Sequence, residues 1–322
     1  MKKNKNLQHR VEYAALRVVE TVICLLPETV ALAFGAGVAN LLFLLGFRKK
    51  ETARRIREVF GNATPAREIR RIARLSLRNM ALNAVELMRI RRVNRAWIER
   101  HVLDLDTTLG RINALREKHG GLILALPHMG NWDLAGVACE RVGIKILAVA
   151  GRQKNPHVNA WLAKRRGAGI HMIERGAGDT AREALKLLAE GWVFAILADV
   201  RVNKPDVVVD FLGRTANVGR GLAVYAWCGN VPIVPVICER VGWRRHKFHI
   251  GDPLPPPDIH DKDAAVRQHT QRVLHIFEAH IRANPAQWLW HNKRWVLTPL
   301  GAKANPTRAT PKEHTDETHD TP

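Results

Sequence analysis

Cysteine is scarce in this chain and never clustered: Cys24, Cys139, Cys228 and Cys238 are the only four in 322 residues. Each stands alone among apolar neighbours. That excludes a disulfide framework and a zinc site, and fits buried reduced thiols in a cytosolic catalytic body. No small-residue cleavage site follows the early apolar region, so no cleavable signal peptide is expected. Zinc-finger, KH and RRM signatures are missing, and there is no internal repeat. Acidic residues are also in short supply. There are 30 against 51 lysines and arginines, a formal net charge of +21 and a pI of about 10.6. A surplus of that size attracts anions: nucleic acid, acidic lipid, a phosphorylated substrate or an acidic carrier protein. With 46% hydrophobic residues, a substantial core is affordable and global disorder is excluded.

The charge is uneven. From Arg48 to Arg100 there are 16 basic and 5 acidic residues, a net of +11. The segment is helical in period, with Ile69, Ile72, Ala73, Ser76, Met80, Ala84, Leu87 and Met88 on one expected face and most arginines on the other. It reads as a solvated basic face or, alternatively, a nucleic-acid contact. Residues 1–10 are polar and basic, and 11–47 form the most apolar stretch. Thr29–Phe47 carries no charge over 19 residues, close to the minimum for crossing a bilayer. Basic residues flank the region on both sides, so charge gives no orientation. Membrane attachment is expected, either by a span or by two helices seated in the interface and joined at Leu26-Pro27-Glu28, with a buried helical hairpin as the alternative.

From about residue 120 the pattern alternates. Strands are expected at 121–126, 144–150, 193–198, 206–211, 231–237 and, more weakly, 246–250. Helices are expected at 132–142, 156–166, 179–190, 217–228 and 263–283. This order predicts an α/β fold, with a mixed central sheet flanked by helices and an N-terminal apolar, membrane-associated helical segment. The expected organisation is that segment at 1–47, the α/β domain with its basic helical lead-in at 48–300, and a disordered Pro/Thr-rich tail at 301–322. Residues 252–258, DPLPPPD, read as a rigid connector.

The richest stretch is LILALPHMGNWDLAG, residues 122–136. A short apolar strand ends at Pro127, and His128 then stands at its carboxyl end, where α/β sheets place their ligands. Asp133 falls in the first turn of the next helix, within reach of the imidazole. A carboxylate on one ring nitrogen leaves the other as a base. No serine or cysteine adjoins His128, so the nucleophile would come from the substrate. The plain alternative is a loop histidine followed by a first-turn helix acid.

Further motifs follow in order: Gly151-Arg152-Gln153-Lys154-Asn155 after a strand, Lys164-Arg165-Arg166-Gly167 at a helix end, Asp199 closing a strand, Phe211-Leu212-Gly213, and PAQWLWHNKRW at 285–295. Together with HMGNWD, this order resembles the bacterial lipid A biosynthesis acyltransferases, within the lysophospholipid acyltransferase superfamily marked by H-x4-D/E. The resemblance covers about residues 10–297. It implies an acyltransferase in which His128 is the general base, removing a proton from an acceptor hydroxyl as that oxygen attacks an acyl thioester, with Asp133 orienting the ring. Arg165 or Arg166 matches the family arginine that meets substrate or the developing oxyanion. Asp199 matches a strand-end acid, and Arg152, Lys154 and Asn131 join them as candidate substrate-binding residues. Phe211-Leu212-Gly213 resembles a turn shaping the acyl or acceptor site, or is a plain hairpin. Trp288, Trp290 and Trp295 read as packing or interfacial aromatics.

The resemblance implies no metal and no cofactor. As partners it implies acyl carrier protein or acyl-CoA as donor, an anionic glycolipid or phospholipid acceptor, the membrane surface and no nucleic acid. The expected location is the inner membrane, with the catalytic domain on the cytoplasmic side. One departure matters: lipid A acyltransferases commonly carry Glu where this chain has Asp133. Aspartate there is the rule in glycerolipid and phosphatidylinositol-mannoside acyltransferases. The expected acceptor is a lipid A precursor, with a lysophospholipid or phosphatidylinositol mannoside as the alternative and a non-catalytic basic binding protein as the distant one.

Overall fold

The structure, a computed structural model, describes residues 2–167, 170–175, 179–258 and 261–299; the expected tail at 301–322 lies outside them. Helices α1 (Lys2–Leu25), α2 (Glu28–Leu44), α3 (Lys49–Phe60), α4 (Ala66–Met88) and α5 (Arg95–His101) lead into strand β1 (Val102–Leu103) and helix α6 (Leu105–His119). The alternating part runs β2 (Leu122–Leu126), α7 (Trp132–Arg141), β3 (Ile146–Ala150), α8 (Pro156–Arg166), β4 (Ile170–Glu174), α9 (Thr180–Ala189) and β5 (Val193–Leu197). It continues through β6 (Val207–Phe211), β7 (Arg214–Val218), α10 (Gly221–Gly229), β8 (Ile233–Val241), β9 (Arg245–Ile250) and α11 (Lys262–Ala283).

Seven strands form one sheet in the order β1-β9-β8-β2-β5-β3-β4, and β6-β7 is a separate antiparallel hairpin. Every neighbour pair in the large sheet is parallel except β8-β9. The mixed α/β expectation therefore holds for the sheet and its flanking helices. Strands β1, β4 and β7 were not expected: β1 is only two residues, and the polar sequences IHMIE and RTANV hide β4 and β7.

β2 lies at the centre and is buried along its whole length. Leu122, Leu124 and Leu126 enter the core on one side of the sheet, while Ile123 and Ala125 enter the core on the other. That alternation is the strand's period of two, and burial on both faces explains why the run is continuously apolar. Each fully buried leucine contributes roughly 2 kcal/mol, so β2 is a stiff mount for the loop that follows it.

The lead-in helix α4 departs from the expected face. Ile69, Ile72, Ala73 and Ser76 are buried, but the second half buries Leu77, Asn79, Leu82, Val85 and Glu86, and Ala84 is exposed. The apolar period misplaces this half because two polar residues, Asn79 and Glu86, point inward to hydrogen-bond partners. Leu82 and Val85 instead form a small core with Ile23, Ala31, Leu32 and Ala36 of α1 and α2. The opposite side of α1 and α2 leaves Val18, Val22, Leu25, Val30, Phe34, Val38, Leu41 and Leu44 exposed. No single helix among the described residues is long and apolar enough to cross a membrane; α2 with α3 reaches that length only as a pair bent by 90°.

Candidate active site

Register brings the two central groups together. β2 and β5 pair in parallel with Leu126 beside Leu197, and Ala198 N–H donates to the Leu126 carbonyl at 3.0 Å. Two residues further along both chains, His128 and Asp199 stand side by side at the carboxyl edge of the sheet. His128 Nδ1 lies 2.6 Å from Asp199 Oδ1, and the His128 backbone N–H donates to Oδ2 at 2.8 Å. Trp288 Nε1 donates to the same Oδ2 at 2.7 Å. Burial alone would raise the Asp199 pKa. The charge of His128 and the hydrogen bonds from His128 and Trp288 outweigh it and hold the carboxyl below its usual range.

An ionised Asp199 on Nδ1 fixes the tautomer with Nε2 bare. No hydrogen bond engages that nitrogen among the described residues, and the side chain keeps 16% exposure. Trp132 meets the ring edge-on at a centroid distance of 5.0 Å. A base held this way removes a proton from an incoming hydroxyl. No thiol here supplies a competing nucleophile: burial pushes Cys139 up to about 12 and Cys238 higher still, leaving both protonated.

The carboxylate on the His128 ring is Asp199 and not Asp133, which was expected there. Asp133 is the second residue of α7, and its carboxylate is taken by Arg166, with Nε to Oδ1 at 2.7 Å and Nη2 to Oδ2 at 3.0 Å. Such a fork-to-carboxylate pair occupies both oxygens. Asp199, expected as a substrate contact, is 3% exposed and faces the histidine. The two arginines divide as well: Arg166 holds Asp133, whereas Arg165 is buried on Glu20 of α1. Asn131 is structural in its contacts. Its Oδ1 caps α7 through the Leu134 N–H at 3.0 Å, and its Nδ2 donates to Glu86 at 2.6 Å. Arg152 is exposed, 3.9 Å from Glu174, and Lys154 is exposed beside it.

The loop carrying His128 is braced from below. Gly130 has φ +61°, and a Cβ there would lie 2.0 Å from the Cys238 carbonyl oxygen, so only glycine fits. The Gly130 carbonyl accepts from Asn83 Nδ2, and its N–H donates to the Gln287 carbonyl at 3.1 Å. Beneath it, Arg240 grips Glu86 at 2.7 and 2.5 Å and Asn83 at 2.8 Å, and His246 adds a contact to Glu86 at 3.2 Å. Burial pulls Glu86 upward, but the charges and hydrogen bonds of His246 and Arg240 win and leave it ionised. These residues carried no motif. The only hint was an acid, Glu86, in the second half of a helix rich in arginine, where Glu68 is the other acid and pairs with Arg71.

The closing motif is the roof of this brace. Met129 bridges to Trp288, and Leu289 N–H donates to the His128 carbonyl at 2.9 Å. Ser76 and Asn79 of α4 hold the carbonyls of Trp288 and Ala286, and Arg55 of α3 holds those of Trp290 and Asn292. Trp288, Trp290 and Trp295 are buried against one another, so the packing reading is correct and the interfacial one is not. Phe211-Leu212-Gly213 is the hairpin reading: Leu212 and Gly213, at φ +55° and +75°, turn β6 into β7, and Phe211 packs edge-on to Trp288.

A phosphatidylinositol mannoside acyltransferase of Mycolicibacterium smegmatis is 27% identical over 202 residues, 61% of this chain and 62% of the relative. One from Mycobacterium tuberculosis H37Rv is 26% identical over 218 residues, 66% of each chain. The chain thus spans somewhat under two thirds of the length of these curated relatives. Residues 1–296 match the family described as bacterial lipid A biosynthesis acyltransferase, and by that match over nearly its whole length the chain belongs to this family.

Proposed function

We propose that this protein is a membrane-associated O-acyltransferase that moves a fatty acyl chain from an acyl thioester to a hydroxyl of an anionic glycolipid. The observation that carries the reading is the His128–Asp199 pair, with Nε2 open and no protein nucleophile beside it. Nε2 takes the hydroxyl proton while the acceptor oxygen attacks the thioester carbon. The tetrahedral intermediate then expels the thiolate, which recovers the proton from the imidazolium. Asp199 orients the ring and stabilises its cationic form. Asp133 fixes Arg166 beside the histidine loop, where a guanidinium is suited to a developing oxyanion; such a donor is worth on the order of 3 kcal/mol.

Acyl carrier protein is the proposed donor, because an acidic carrier complements a chain of net charge +21. The proposed acceptor is a lipid A precursor, in keeping with the family description. A phosphatidylinositol mannoside is the second reading, favoured by the names of the relatives and by aspartate at position 133. The exposed apolar side of α1 and α2, where α1 also exposes Lys5 and Arg10, suits a seat in the interface of an acidic inner-membrane leaflet. The test is mass spectrometry of total lipids from cells with and without the gene, paired with transfer assays using acyl carrier protein or coenzyme A thioesters. Loss of one acyl chain from lipid A supports the first acceptor, and loss from a mannosylated phosphoinositide the second. Unchanged lipids together with full transfer by His128→Ala would sink the reading.

A further inference from the structure

A second basic recess lies outside the His128 centre, between α1 and α8. It is a cleft of about 320 Å³ lined by Tyr13, Arg17, Arg91, His157, Trp161, Lys164, Arg165 and the backbone-like Ala160. Among the described residues no acidic side chain lines it. Glu20 lies behind the wall, where it holds Arg165, Arg17 and Trp161 Nε1. Against the four permanent cations of the lining stand Glu20 behind the wall and Glu12 at the mouth, where Asn155 holds it. Arg91 and Lys164 are exposed and have no ion pair or hydrogen bond among the described residues.

Arg165 is the buried cation of the cleft wall. It is 8% exposed, yet its Nε is buried without a hydrogen-bond partner. Its Nη2 is turned to Glu20, which leaves Arg91 and Lys164 as the cations open to an anion entering the cleft. The walls are aromatic: Tyr13 stacks on His157 at 5.6 Å, and Arg165 lies over Trp161 at 5.8 Å. Asn155 secures the mouth by donating to Glu12 and to the His9 carbonyl, which pins α1 against the start of α8.

We propose that this cleft binds a phosphate group, and that the group is the head-group phosphate of an amphiphile lying along α1. A phosphate offers several acceptor oxygens to converging guanidinium and ammonium donors. The residues Val18, Val22 and Leu25, exposed on the same helix, give the acyl chains an apolar neighbour. Choosing an amphiphile over a free phosphate rests on the membrane-associated reading above; the phosphate chemistry does not.

The test measures binding without turnover, on the full chain in phosphate-free buffer. Vesicles of phosphatidylcholine with phosphatidic acid are compared with vesicles brought to equal surface charge by oleate. Arg91→Ala/Lys164→Ala should lose about tenfold in affinity for the phosphatidic acid vesicles and keep wild-type affinity for the oleate ones. Lys118→Ala on α6, an exposed cation elsewhere, should change neither. Equal losses on both vesicle types, or the same loss from Lys118→Ala, would overturn the site in favour of diffuse charge attraction. Calorimetric titration with inorganic phosphate separates the sources. Saturable binding that the double variant abolishes, with vesicle affinity unchanged, would keep the phosphate site but overturn the head group as its ligand. Near-ultraviolet circular dichroism checks that the variant is folded. Lost acyl transfer with intact vesicle binding would count against the catalytic reading alone.

Discussion

Asp199 holds His128 at two points, the ring Nδ1 at 2.6 Å and the backbone N–H at 2.8 Å, so one buried carboxylate sets both the tautomer and the position of the base. Asp199→Asn keeps the size and burial of the side chain but removes its charge. The expected result is a fall in kcat for acyl transfer of between about 10² and 10⁴-fold, with the fold intact by circular dichroism. A larger loss from Asp133→Asn than from Asp199→Asn would show that the orienting role belongs to Asp133.

Asp133 and Arg166 form a forked pair with side chains 15% and 21% exposed. Denaturant unfolding of Asp133→Asn, Arg166→Ala and the double variant should give a coupling of about 1 kcal/mol. Arg166→Lys should recover only part of it, because an ammonium cannot span both oxygens. Additive single effects would mean that the pair contributes no stability.

Gly130→Ala should destabilise the protein by roughly 3 kcal/mol. The left-handed backbone and the Cys238 carbonyl both oppose a Cβ there. A shift in the urea midpoint with an unchanged slope is the expected signature. An unchanged midpoint would show that the His128 loop rearranges freely.

His291 gives a pH dependence. Burial and the nearby cations Arg48 and Arg55 push its pKa down from 6.5 to about 4. Below pH 6.5 the unfolded chain takes up a proton that the folded chain refuses. Stability should therefore fall as pH drops from about 6.5 to about 4, with a slope of at most about 1.4 kcal/mol per pH unit. His291→Gln should flatten that interval. Parallel curves for wild type and variant from thermal or urea unfolding would refute it.

The sequence by itself determined a good deal. A continuous apolar run before Pro127 marked the central strand, because a strand buried on both faces has no polar alternation to obscure it. The alternation of apolar runs and helical periods gave the α/β class, and Pro127 marked the strand end at which His128 stands. The order of short motifs was itself enough to point to the family.

The tertiary structure decided who meets whom. Asp133 is five residues from His128 and looked like its partner, yet a helix start turns its carboxylate toward Arg166. Asp199 is 71 residues away and becomes the partner only because β2 and β5 pair in register. Trp288 reaches the same carboxylate through a loop held by α3 and α4. Buried ions such as Glu86 with Arg240 follow the same rule. Each needs a partner once water is removed, and sequence spacing does not say which distant residue supplies it.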